Sequence, residues 1–372
     1  MTRLTFAITA ALATTLVSGL LAQPGWAIPP SPPTQSAEPE SLQSQSTETQ
    51  NTEPVVDLPS EPEMAQRFNL PIKTGGGTQM WTDHAYRNGY RIQQHAWTGH
   101  WRLIDAGDVR RAWGTQEACE SELDRLVPPP IIEHPPKSIQ DAATPTSATE
   151  PSQSDPANHT VVLLHGLMRT RHSMKPLETA FNAAGITNVI RFSYASSRAS
   201  IGDHAAGLRD VVEGMPADTQ FSFVGHSMGN IVVRHLIADL ERSGDPAKVL
   251  PRCRCMVMLG PPNQGAAIAR RLAPTGIYGW VTGKGGLELG PQWKDFESKL
   301  STPSFPFMII AGDVSKAPIA NPLVDGSSDF VVSLDEAKLQ GAEQVQVVPV
   351  LHSFLMNDEQ ANQMTVDFVA SH

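Results

Sequence analysis

From about residue 159 onward, the apolar positions fall in short unbroken runs separated by longer amphipathic stretches. Residues 161–164, 189–192, 221–224, 255–259, 307–311 and 345–350 are continuous or nearly so. That is the pattern of strands covered on both faces. Between the runs, apolar residues recur every three or four positions over 175–184, 201–212, 230–242, 334–339 and 359–369, which predicts helices. Strand and helix alternating in this way predict an α/β domain over 159–372: a mostly parallel sheet of about six strands with helices on both faces.

The first 158 residues are patterned differently. Arg3 stands before a mostly apolar stretch over 4–22, and Gly25-Trp26-Ala27 places small residues where a signal peptidase reads. Residues 1–27 are therefore expected to be a secretory signal peptide cleaved after Ala27, so the chain is exported to the periplasm, the cell surface or the medium. An uncleaved N-terminal anchor is the alternative, disfavoured because the run is near the minimum spanning length and diluted by Thr and Ser. Residues 28–70 are rich in Pro, Ser, Thr, Gln and Glu. Such a segment buries too little apolar surface to offset the entropy of ordering and reads as a disordered linker. A second Pro-rich linker, 128–158, opens with Pro128-Pro129-Pro130.

Between the linkers lies an aromatic island, 79–127, with Trp81, Tyr86, Tyr90, Trp97, Trp101 and Trp113. Alternating stretches over 91–97 and 101–104 flank Thr98-Gly99-His100, a hairpin signal, and 109–113 suits a third strand. Thr115 is a helix N-cap candidate ahead of Glu117, Ala118, Leu123 and Leu126. The pattern predicts a small β-β-β-α module. Its aromatics suit either a platform for a carbohydrate, peptide or surface polymer, or the core of a domain too small to build one otherwise. The core reading is preferred.

Composition narrows the partners. The net charge of −10 over 372 residues argues against nucleic acid, which would call for a basic patch. Cys119, Cys253 and Cys255 are too few for a disulfide framework, and no Cys/His set stands at zinc spacing. No cofactor or metal is implied.

The candidate chemistry centres on Gly225-His226-Ser227-Met228-Gly229. An apolar strand runs into it and a helical pattern leaves it, with G-x-S-x-G at the turn. A serine on so tight a turn has its hydroxyl pushed into the open, and glycines let strand and helix approach. The other strand ends also carry reactive groups. The first gives Leu164-His165-Gly166-Leu167, the fifth Ala311-Gly312-Asp313 and then Ser328-Asp329-Phe330, and the sixth Leu351-His352. Serine, acid and histidine thus follow one another at the ends of parallel strands, where ligands gather in open α/β sheets.

These blocks resemble the small bacterial lipases and esterases of the α/β-hydrolase superfamily over residues 159–372. They are Val161 to Leu167, Val224 to Gly229, Asp329 to Val332, and Val350 to His352. Asn230 departs from the glycine common at that position. The resemblance implies a serine hydrolase acting on a small-molecule or lipid ester. Ser227 would be the nucleophile, His352 the base, and the backbone N–H groups of Met228 and Leu167 the oxyanion donors, with Gly225, Gly229 and Gly166 as the close-packing glycines. Asp329 is preferred as the acid, with Asp313 second. His165, His172, His204, His226 and His235 are set aside because only His352 follows both the last strand and the acid. An acyltransferase or amidase would carry the same elbow. A binding protein on the same scaffold would be expected to have lost one of these groups. The stretch of about forty residues between Gly265 and Phe307 is long for a loop and suits a cap over the serine.

Overall fold

The computed structural model describes residues 71–74, 76, 79–129, 158–275, 277–316 and 321–372. The expected export signal, the first linker and nearly all of the second lie outside them. The described strands are β1 (Trp81–Arg87), β2 (Tyr90–His95), β3 (Trp101–Ile104), β4 (Arg110–Gly114), β5 (His159–Leu164), β6 (Val189–Phe192), β7 (Gln220–His226), β8 (Cys253–Leu259), β9 (Phe307–Gly312) and β10 (Gln344–Val348). The helices are α1 (Gln116–Leu126), α2 (Lys175–Ala183), α3 (Ile201–Glu213), α4 (Met228–Ser243), α5 (Ala267–Leu272), α6 (Ile277–Leu289), α7 (Trp293–Phe296), α8 (Leu334–Ala337) and α9 (Glu359–Ser371).

The larger sheet runs β10-β9-β8-β7-β5-β6, and every neighbouring pair is parallel. Its strands are apolar throughout because both faces are covered. Along β5, Val162 and Leu164 pack with α3 and α4 residues such as Leu208 and Ile231. Val161 and Leu163 pack on the opposite face with Leu177 of α2 and Phe368 of α9. All four are fully buried, each contributing about 1.5–3 kcal/mol relative to exposure. After β5 the chain crosses to β6 on one side. It then returns to β7 on the other side of β5 and builds outward. The carboxyl ends of β5 and β7 are therefore the switch point, where departing loops diverge and leave a crevice.

The aromatic island is a four-stranded antiparallel sheet, β1-β2-β3-β4, rather than three strands. Helix α1 packs on it and is capped by Thr115, whose side chain accepts from Ala118 N. The core of this module is aliphatic: Ile92, Leu103, Ala112, Cys119 and Leu123. Of the tryptophans, Trp81 is buried and Trp101 packs partly against this core, whereas Trp97 and Trp113 face solvent. A tryptophan core is thus the wrong picture for Trp97 and Trp113.

The strand missed in the sequence, β1, attaches the module to the larger sheet. Asp83 N donates to Ser193 O at 2.9 Å, just past edge strand β6, and Ser193 N donates back to the Asp83 carboxylate at 2.8 Å. Arg91 Nη1 donates to the same carboxylate at 2.6 Å and to Arg191 O at 3.1 Å. Gln93 Nε2 fills the other Asp83 oxygen at 2.7 Å. A buried carboxylate so fully hydrogen-bonded tolerates its position in a strand. All three cysteines are free.

Candidate active site

Strand β7 delivers the chain into the crevice, and α4 carries it away. From Phe221 to Ala238 every residue is buried except Ser227. Ser227 sits at φ 53° and ψ −122°, a conformation a non-glycine residue holds only when its surroundings enforce it. The enforcement is visible. Ser227 N donates to Leu259 O at 2.9 Å, and Ser227 O accepts from Asn230 N at 3.1 Å and Asn230 Nδ2 at 3.0 Å. The residue that departs from the lipase pattern therefore braces the turn with its side chain.

The glycines around the elbow are there for space. A Cβ on Gly225 would lie 2.3 Å from Asn230 Oδ1, and one on Gly229 would lie 2.7 Å from Leu164 O. The first turn of α4 thus rests on the end of β5. A Cβ on Gly166 would lie 2.8 Å from His226 Nδ1 and 3.1 Å from Ser227 Cβ, so the loop after β5 lies directly against the serine. Among the described residues, neither Leu167 N nor Met228 N has a hydrogen-bond partner. Met228 N opens α4, where the helix dipole adds positive potential.

The histidine and the acid meet on the other side. His352 Nδ1 lies 2.7 Å from Asp329 Oδ2, and His352 N donates to Asp329 O at 2.9 Å. Asp329 Oδ1 accepts from Val331 N at 3.0 Å and Val332 N at 2.7 Å. Because the carboxylate accepts, the proton belongs on Nδ1 and leaves Nε2 as a lone-pair acceptor. Asp313, the second candidate acid, instead accepts from Ser315 N at 2.9 Å, and hydrogen bonds from the Ser315 hydroxyl and then its backbone hold the carboxyl below the usual range. Asp325 pairs with Arg271, and Asp335 with Lys338; Ser333, not Asp335, caps α8.

Two glycines that sequence reasoning passed over make room for this pair. Gly260, one residue after the Leu259 carbonyl that holds Ser227, backs the His352 ring, and its Cβ would lie 2.9 Å from Nδ1. Gly312 faces Asp329 and Val350 O. Their signal was position alone: each ends a strand of the parallel sheet.

The remaining histidines have other work. His226 Nε2 lies 3.0 Å from His352 O. Since a carbonyl only accepts, that nitrogen carries the proton, and burial beside His352 holds His226 well below the ordinary histidine pKa. His226 thus fixes the backbone of the histidine opposite the elbow. His165 stacks on Tyr194 at 4.0 Å, and Tyr194 Oη donates to His165 O. His204 is buried against Tyr194, and His235 pairs with Asp239.

The segment after Gly265 folds into α5, α6 and α7. Helix α6 is broken at Gly283, where φ is 64°. It presses on the crevice rim: a Cβ on Gly285 would meet Met228 Sδ at 3.0 Å and Ser196 O at 3.3 Å. Glu288 accepts from Ile201 N at 2.7 Å, and burial raises its carboxyl pKa.

A six-stranded parallel sheet carries a strained serine between strand and helix, with a hydrogen-bonded acid–histidine pair on later strand ends. This is the layered arrangement of the α/β-hydrolase fold. Residues 154–261 match the model of a family described as "Putative serine esterase (DUF676)". No curated protein matches the chain. Similar solved structures include mature Bacillus licheniformis lipase BlEst2, at 16% identity over 59% of this chain and 95% of that one, with a TM-score of 0.42. The metagenomic carboxyl esterase MGS0156 is similar at 16% identity over 58% and 70%, with a TM-score of 0.40. Legionella pneumophila phospholipase PlaB is similar at 21% identity over 48% and 45%, with a TM-score of 0.36.

Proposed function

We propose that this α/β-hydrolase cleaves carboxylic esters through an acyl-enzyme on Ser227. The observation that carries the reading is the half-exposed Ser227, held in a strained turn against Gly166 and Leu259. The His352 ring is seated on the neighbouring Gly260. Ser227 Oγ attacks the ester carbonyl as His352 Nε2 takes its proton. Asp329 keeps the imidazole in the Nδ1–H tautomer and balances the charge that forms. The tetrahedral oxygen lies between Leu167 N and Met228 N, neither of which has a hydrogen-bond partner among the described residues. His352 then protonates the leaving alcohol, and water repeats the sequence on the acyl-enzyme. The family match over 154–261 supports the reaction class. Export through residues 1–27 belongs to the same proposal and rests on the sequence.

Stopped-flow hydrolysis of p-nitrophenyl butyrate tests the acyl-enzyme. Pre-steady-state release of close to one p-nitrophenol per chain, with a butyryl adduct on Ser227, is expected where deacylation is slower than acylation. An adduct trapped on another residue would overturn the assignment. Asp329→Asn should lower kcat by on the order of 10³–10⁴-fold, because the histidine loses its tautomer, and Asp313→Asn should stay near wild type. The reverse result would move the acid to Asp313.

A further inference from the structure

We propose that the small N-terminal sheet holds the oxyanion loop in its working conformation, with Gln79 as the positioning residue. The inference rests on the serine-hydrolase reading and says what the aromatic module does for it.

The loop from His165 to Arg171 carries the Leu167 N–H. The next residue, Met168, has φ 58°, a left-handed conformation that a side-chain-bearing residue keeps only when held. One hold is local, Arg169 N donating to Gly166 O across the turn at 3.2 Å; a further one comes from outside the catalytic domain. Gln79, just ahead of β1, donates from Nε2 to Met168 O. Its Oε1 accepts from Ser197 Oγ at 3.0 Å. A carbonyl oxygen only accepts and a hydroxyl can donate, so this amide orientation satisfies both partners. One side chain thus ties the loop after β5 to the loop after β6. Ser196, next to Ser197, reaches Arg169 O at 3.4 Å and lies against the α6 segment that meets Met228.

A second tie lies at the far end of the loop. Arg171 is buried and pairs with Asp108, in the turn between β3 and β4, while its Nε donates to Gly76 O at 3.0 Å. The module itself is anchored through Asp83 to Ser193. From within the catalytic domain, Tyr194 Oη fixes His165 O. The loop that carries the expected oxyanion donor is therefore held both by its own domain, through Tyr194, Ser196 and the Arg169 bond to Ser353 O at 2.9 Å, and by two ties from the module. A donor aimed at a developing oxyanion works only if it needs no reorganisation, so a loosened loop lowers transition-state affinity more than substrate affinity.

The experiment uses the full chain and p-nitrophenyl butyrate. Gln79→Glu keeps the shape but replaces the donor with an oxygen facing Met168 O. We expect kcat to fall on the order of 10–100-fold with KM within about twofold. Affinity for a trifluoromethyl ketone should fall by the same factor as kcat/KM, while the melting temperature stays within a few degrees. Ser197→Ala, which removes the second partner of Gln79, should give a smaller loss of the same kind. If Gln79→Glu does not fold, Gln79→Ala and Ser197→Ala carry the test. Wild-type kcat in the folded variants would overturn the proposal, as would losses that follow thermal stability and leave the ketone-to-substrate ratio unchanged. Ser227→Ala is assayed alongside. If it is as active as wild type, the serine reading fails; if it is inactive while Gln79 variants match wild type, only the positioning role fails.

Discussion

At the residue scale, the account turns on side chains kept in costly states by their neighbours. Ser227 holds its positive φ because Leu259 O, Asn230 N and Asn230 Nδ2 fasten both of its peptide groups. Asn230→Ala removes one of these bonds from a part-buried carbonyl, so it should destabilise the fold by about 1–3 kcal/mol, read as a lower urea midpoint, and lower kcat as well. A variant with unchanged stability and kcat would show that the backbone bonds suffice. Ser227 and His352 could be read from the sequence because the elbow has a fixed spacing and the histidine closes the last strand. The choice of Asp329 over Asp313 was less legible. It depends on which carboxylate receives the amides of Val331 and Val332, and that is a property of the folded turn. Gln79 could not be read at all, since one glutamine before a strand carries no local pattern.

At the element scale, the unbroken apolar runs gave the parallel strands because each is buried on both faces, and periodicity alone was enough. Strand β1 escaped because Thr82 and Asp83 are polar yet buried, satisfied by Ala195 N, Ser193 N, Arg91 and Gln93. Sequence patterning cannot see that a polar residue is satisfied when some of its partners, here Ser193 N and Ala195 N, lie more than a hundred positions away. Helix α6 escaped too, as glycines interrupt its apolar positions, and α5 and α7 are too short to show a helical period. The contact of α4 with β5 makes a sharp prediction. Gly229→Ala drives a Cβ to 2.7 Å from Leu164 O, backbone against backbone, and should cost about 1–3 kcal/mol as well as displacing Met228 N. Thermal melts and kcat should fall together. Asp83→Leu tests the module's attachment. It leaves Arg91 buried without its carboxylate, at about 3–5 kcal/mol, and should open the 79–127 region to limited proteolysis. Unchanged protease resistance would argue that the apolar contacts alone hold it.

At the scale of the whole molecule, buried imidazoles make stability depend on acid. Burial lowers the pKa of His165 to about 4 and that of His204 to about 3, and neither His204 ring nitrogen has a hydrogen-bond partner among the described residues. In the unfolded chain both titrate near 6.5. The unfolded state therefore binds more protons once the pH drops below that value. The stabilising contribution is complete above about 6.5 and is lost as pH falls toward the folded values, at about 1.4 kcal/mol per unit for each histidine. Urea midpoints should drop between pH 6 and 5, and His204→Leu should make the slope shallower by about one histidine's share. An unaltered slope would mean His204 is not among the groups responsible. The module and the sheet belong to the same calculation, since His165 begins the loop that Gln79 and Arg171 tie to the smaller sheet.

The proposed function makes Ser227 a nucleophile activated by His352. The most direct test is to treat the full chain with a fluorophosphonate and locate the adduct by peptide mass spectrometry. The account predicts one adduct per chain, on Ser227, absent from Ser227→Ala and formed orders of magnitude more slowly in His352→Ala. No labelling of the folded wild type, or equal labelling of Ser227→Ala, would contradict it.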